Sequence, residues 1–173
     1  MRKIVILVIC VWLAALLGAC DLEKESGSQT TAPKQGVPED FSFAIRWSCA
    51  ENCSYDSLTG KLVKDRHADL VTEYQPTDAE KAYFYELLQT LDWNSYPDEY
   101  EMACGVSEPS VFRILTVRVN GQEKTIRVLD LDPSYEPEDP KERKYLSVCN
   151  GLIDRLMETE AWNALPESKT FFS

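Results

Sequence analysis

The chain has 173 residues, which is enough for one domain with a buried core, and it carries a formal net charge of −11. Nucleic-acid binding depends on surfaces rich in lysine and arginine, so this acidic balance argues against a nucleic-acid partner. The same charge would keep the chain away from an anionic membrane surface.

The N-terminus has the pattern of an export signal. Arg2 and Lys3 precede an apolar run over residues 4–17, and these 14 residues are too few for a spanning helix, which needs about 20. The run ends in Leu-Gly-Ala-Cys, which resembles the bacterial lipobox, whose cysteine receives diacylglycerol before cleavage. We therefore interpret residues 1–19 as a lipoprotein signal peptide and Cys20 as the lipidated residue. An ordinary signal peptide and an uncleaved anchor are the alternatives.

Lipidation predicts where the mature chain resides. Acyl chains on Cys20 would anchor it to the cell membrane, at the extracytoplasmic face, because each buried methylene contributes about 0.8 kcal/mol. Loss of Arg2 and Lys3 with the signal takes the net charge to about −13. Residues 20–39 offer almost nothing to bury, so after the lipidated cysteine they are predicted to form a disordered tether with a reach of about 25 Å.

Residues 40–173 are expected to form a single domain that begins with strands. Apolar residues alternate with polar or small ones over residues 41–48, which predicts a half-buried first strand. Residues 57–60 read as a turn, residues 61–64 as a second short strand, and residues 69–74 as a further candidate strand.

A helix is predicted next. Thr77 and Glu80 have the spacing of a capping box, directly after Pro76. The apolar residues that follow share one helical face: Tyr83, Phe84, Leu87, Leu88 and Leu91.

The clearest element is a β-hairpin. Asn120-Gly121 separates two alternating runs, residues 111–119 and 122–129, and this dipeptide favours a type I′ turn. A two-residue loop fixes the register and places Arg118 opposite Glu123.

A second helix is expected after Asp139, which would cap it, with Pro140 at its first position. Its buried stripe consists of Tyr145, Val148, Cys149, Leu152 and Leu156. Together the elements predict an α+β fold in the order β-β-(β)-α-β-β-α. The fold would contain an antiparallel sheet of four to five strands with two amphipathic helices on one face.

Four cysteines remain in the exported part: Cys49, Cys53, Cys104 and Cys149. An even number in an oxidising compartment favours two disulfides, for which three pairings exist. Cys49 and Cys53 would lie about 13 Å apart on a straight strand, so a bond between them requires a turn. Cys104 would then pair with Cys149. We favour this pairing, with cross-pairing and free thiols left open, over a zinc or redox site, because no two cysteines have the two-residue spacing.

No other motif indicates catalysis, a metal or a cofactor. His67 is the single histidine, and nothing around it suggests a nucleophile pair, so we predict a surface residue. Residues 130–141 begin like a calcium loop, but Tyr135 replaces the required glycine and Lys141 the final glutamate. We therefore predict no catalytic residue, no metal and no cofactor.

The stretch that follows the first helix mixes aromatic and acidic residues. Trp93, Tyr96 and Tyr100 are of the types that often dominate protein contacts, so we predict an interaction loop here. Alanine at any of the three should weaken binding of a partner without unfolding the domain. The alternative is that these side chains fold back over the sheet edge and the helix end.

Three stretches carry a resemblance: residues 52–64 (Asn-Cys-Ser-Tyr-Asp-Ser-Leu-Thr-Gly-Lys-Leu-Val-Lys), residues 95–100 (Ser-Tyr-Pro-Asp-Glu-Tyr) and residues 107–110 (Ser-Glu-Pro-Ser). Together they resemble uncharacterised small lipoproteins of bacterial, often Gram-positive, envelopes, over most of residues 41–170. The resemblance implies the same element order and the same location, and it implies no activity.

These features lead to one functional hypothesis. We expect a membrane-anchored, non-catalytic domain that engages another envelope protein or a wall component. An envelope hydrolase that uses carboxylates and a passive structural lipoprotein are the alternatives.

Overall fold

The computed structural model describes residues 36–48, 52–66, 68–100, 111–132 and 135–168. The predicted signal peptide, Cys20 and most of the tether lie outside these residues, as do Cys49, His67 and Cys104. Within the described part, no helix is long and apolar enough to cross a membrane.

The strands are β1 (Ser42–Ser48), β2 (Asn52–Asp56), β3 (Lys61–Asp65), β4 (Leu70–Glu73), β5 (Val111–Val119) and β6 (Gln122–Leu131). The helices are α1 (Asp78–Gln89), α2 (Pro140–Met157) and α3 (Glu160–Asn163), with a single 3₁₀ turn at Trp93–Ser95. The strands form one antiparallel sheet in the order β4-β3-β2-β1-β5-β6. Each of the first three strands pairs with the next one in the chain, and α1 then carries the chain back so that β5 pairs with the free side of β1.

The α+β class and the antiparallel sheet are confirmed, but the strand count was too low. The described residues contain six strands, and the one missed is β2, a stretch for which no element was predicted from the sequence. Cys53 and Tyr55 alternate with these polar residues and are 5% and 1% exposed, which is the period of a half-buried strand. The short α3 was also missed.

The predicted capping box of α1 and the predicted turn of the hairpin are both confirmed. Thr77 accepts a hydrogen bond from the Glu80 backbone N–H at 3.3 Å, and the Glu80 carboxylate accepts one from the Thr77 N–H at 2.9 Å. Asn120 and Gly121 adopt φ of 53° and 70°, and the hairpin register places Arg118 opposite Glu123 as expected.

The helices pack on one face of the sheet, where the core lies. The rings of Phe43 and Phe84 approach to 5.0 Å between centroids, which joins β1 to α1, and those of Trp47 and Trp162 to 5.8 Å, which joins β1 to α3. The buried Tyr145 of α2 donates its hydroxyl to the Ile126 carbonyl of β6 at 3.1 Å. The opposite face carries none of these contacts and is called the open face below.

Candidate interaction surfaces

The predicted interaction loop folds against the domain. Tyr96 is only 4% exposed, and its hydroxyl donates to the Lys141 carbonyl at the start of α2, at 2.9 Å. Burial raises the pKa of Tyr96 to about 12, with a smaller contribution from Tyr100. The Trp93 indole N–H donates to the Leu88 carbonyl at 3.2 Å. Trp93 and Tyr100 are partly buried against the core.

The same loop covers part of the outer edge of β6. The Arg127 N–H donates to the Asp98 carbonyl, and the Tyr100 N–H donates back to the Arg127 carbonyl. Lys124 pairs with the Asp98 carboxylate at 2.8 Å, and this hydrogen bond and charge lower the pKa of Asp98. The role of Trp93, Tyr96 and Tyr100 in partner binding stays a prediction, but the burial of Tyr96 implies that its alanine variant would also be destabilised.

The open face is where the sheet presents side chains outward. The register sets Arg46 beside Ser54 on one side and beside Ile114 on the other, and Ile114 lies beside Arg127. The Arg46 guanidinium carbon lies 5.8 Å from the centroid of the Phe112 ring. Arginine and aromatic side chains together are typical of the energetically dominant positions of protein interfaces.

A depression of about 560 Å³ lies on the β1–β4 half of the open face. Its lining combines small or aliphatic side chains with charged ones. The small or aliphatic residues are Ala44, Ser54, Val63 and Val71, and the charged residues are Arg46, Lys61, Arg66, Asp56 and Asp69.

The sequence alone did not reveal this depression. Arg46 can be assigned to the outward side of β1 from the alternation of residues 41–48, but its neighbours depend on β2, which was not predicted. Recognising the alternation of Cys53 and Tyr55 would have placed Ser54 outward, beside Arg46.

A second concavity, of about 490 Å³, lies beside the start of β1 and the start of α1. Phe43 and Phe84 contribute apolar surface, and Glu39, Asp78 and Lys81 contribute charge. The alternative of a hydrolase requires a pair of carboxylates. Glu39 and Asp78 are the two that line this concavity, and both are solvent-exposed.

The two described cysteines both lie in the core. The Cys53 thiol donates to the Lys64 carbonyl at 3.0 Å. Cys149 is fully buried in α2, and burial raises its pKa to about 12. Cys53 and Cys149 are not bonded to each other. Their predicted partners, Cys49 and Cys104, lie outside the described residues, so the pairing stays a prediction.

The described residues contain no group of three or more His, Cys, Asp or Glu side chains that could hold a metal ion. Comparison of the chain with protein-family models, with curated proteins and with solved structures yields no match.

Proposed function

We propose that this chain is a lipoprotein of a bacterial envelope, lipid-anchored at Cys20, whose domain binds another envelope protein or a wall component without catalysing a reaction. The export signal and the lipobox-like residues 17–20 support the anchor. The open face supports the binding role, and it is the observation on which the proposal depends.

The composition of the open face is what favours binding. A sheet face that only needs to be solvated can be polar throughout, as the outer faces of antiparallel sheets commonly are. Here Ile114 and Phe112 lie among arginines, and Val71 is 37% exposed at the sheet edge. Mixed apolar and cationic surface of this kind suits a protein partner.

The anchor is tested by replacing its cysteine. Cys20→Ala should abolish incorporation of labelled fatty acid and move the chain from the membrane fraction to the soluble or secreted fraction, because the lipid is the proposed means of retention. Retention of Cys20→Ala in the membrane fraction, at the level of the native chain, would overturn the lipoprotein assignment.

The binding role is tested by cross-linking the membrane-anchored chain in whole cells and recovering it. Excess soluble domain that lacks the anchor serves as competitor. Saturable capture of one envelope component, lost on addition of the competitor, is the expected result. If nothing is captured saturably, the binding role fails and the structural and hydrolytic alternatives take its place.

A further inference from the structure

The depression reverses the charge of the molecule locally. The chain carries −11 in total, whereas the depression has three cationic side chains and two carboxylates. One carboxylate oxygen of Asp56 accepts a hydrogen bond from the Leu58 N–H at 2.9 Å, so that oxygen is already engaged in the turn between β2 and β3. The balance favours an anionic group in the depression.

The cations of the depression are available to such a group. Arg46, Lys61 and Arg66 are all exposed, and none forms an ion pair with another residue in the part of the chain described. The Phe112 ring lies beside the Arg46 guanidinium, and stacking of this kind leaves the edge of the guanidinium free to donate. A carboxylate that enters the depression would therefore meet charge-assisted donors.

Guanidinium groups bind phosphates as readily as carboxylates, so the cations alone do not identify the ligand. The apolar part of the lining does, because Ala44 and Val71 offer apolar surface that the backbone of an anionic polymer would leave uncovered. Asp56 and Asp69 would also repel a polymer with closely repeated charges. A polypeptide can supply carboxylates to the cations and aliphatic groups to the apolar part of the lining.

We propose that the depression binds an acidic segment of another envelope protein, whose aspartate or glutamate side chains meet Arg46 and Arg66. Lys61 contributes less, because it lies directly opposite Asp56 and Glu73 in the strand register. This inference rests on the proposed function and names the surface and the partner chemistry that would serve it.

The test is site-specific photo-cross-linking of the full-length chain in cells. A photoreactive phenylalanine analogue replaces Val71, which is 37% exposed in the depression, or Tyr83, which is 45% exposed on α1. We expect a protein adduct from position 71 and none from position 83. Mass spectrometry of the adduct should place aspartate or glutamate residues next to the linked site.

The effect of charge reversal on the adduct yield is a second test. Arg46→Glu should lower the yield of the position-71 adduct about ten-fold, because a charge that meets the partner becomes repulsive. Arg66 lies outside the strands, so its substitution is less able to disturb the sheet. Arg66→Glu should also lower the yield, which would show that the effect of Arg46→Glu is not caused by misfolding. Lys144→Glu, exposed on α2, is the matched control and should change the yield less than about two-fold.

Several outcomes would overturn the inference: an adduct with an anionic polymer, with a second copy of this chain or with a segment that lacks carboxylates, or a yield unchanged by both arginine variants. If the anchored chain captures a partner saturably in the competition experiment while position 71 gives no adduct, the inference fails and the proposed function stands. If neither experiment captures a partner, the inference and the proposed function both fail.

Discussion

Single residues show how far the aromatic loop belongs to the core. Tyr96 contacts Tyr100 and Tyr145 at ring-centroid distances of 5.5 and 5.9 Å, and Lys141 lies over its ring at 4.6 Å. A side chain with these neighbours stabilises the fold whether or not the loop also meets a partner.

We therefore expect Tyr96→Ala to lower the free energy of unfolding by about 3 kcal/mol, because a large buried side chain would leave a cavity. Denaturant titration of the mature protein measures this effect. Tyr83→Ala, at an exposed tyrosine of α1, is the control and should stay within about 0.5 kcal/mol of the native protein. Equal effects of the two substitutions would show that the loop does not pack as described.

For single residues, the sequence shows the chemical character of a side chain but not the residues that surround it in the fold. The aromatic character of Trp93, Tyr96 and Tyr100 is visible, but burial depends on where α2 begins, since its first turn supplies the Lys141 carbonyl to Tyr96. Such a contact between residues 45 positions apart leaves no local pattern.

Among the elements, α1 is held by more than its capping box. The Glu80 carboxylate accepts hydrogen bonds from Thr77 and pairs with Arg155 of α2 at 3.1 Å. Burial alone would raise the pKa of Glu80, but the hydrogen bonds from Thr77 and the charge of Arg155 lower it overall.

The sign of this effect sets a pH dependence. A carboxyl with a pKa lower in the folded state stabilises the fold above its ordinary pKa of 4.5, and the contribution is lost as the pH falls through the folded value. Glu80→Gln should lower the free energy of unfolding by about 1 kcal/mol at neutral pH and by progressively less below pH 4.5.

Denaturant titrations across the acid range measure this dependence. The control is Glu138→Gln, in the exposed loop before α2, which should change the unfolding free energy little at any pH. A constant difference between native and Glu80→Gln protein down to low pH would contradict the account.

Two glycines at turns allow a matched comparison. Gly60 and Gly121 have φ of 72° and 70°, a conformation that costs other residues about 1–2 kcal/mol. A methyl group at Gly121 would meet nothing within 4 Å, whereas one at Gly60 would collide with Gln75 and lie 3.2 Å from the Tyr74 carbonyl. We expect a loss of about 1 kcal/mol for Gly121→Ala and about 2–3 kcal/mol for Gly60→Ala, measured by thermal or denaturant unfolding. A larger loss at Gly121 would contradict these packing differences.

The elements also show which signals a sequence carries. The Asn120-Gly121 hairpin and both helices could be predicted because their turn and cap residues are local. β2 carries a weaker signal, because only Cys53 and Tyr55 mark its buried side and three polar residues surround them. Its strand character comes from pairing with β1 and β3, which is not a local property.

For the molecule as a whole, the core that stabilises the fold and the proposed binding surface lie on opposite faces of the sheet. The helices cover one face, where Phe43, Ile45 and Trp47 of β1 are at most 4% exposed. The open face keeps Arg46 and its neighbours at the surface of an otherwise acidic domain. Substitutions on the open face should therefore change binding with little effect on folding.

The most direct test of this account is a competition between two soluble domains for the partner captured by the anchored chain in cells. One competitor has the native open face and the other carries Arg46→Glu, and the denaturation midpoint of each is measured first. The account predicts that the native domain abolishes capture and that the charge-reversed domain, equally stable, does so about ten-fold less effectively. Equal competition by the two domains would contradict the claim that the open face is the binding surface.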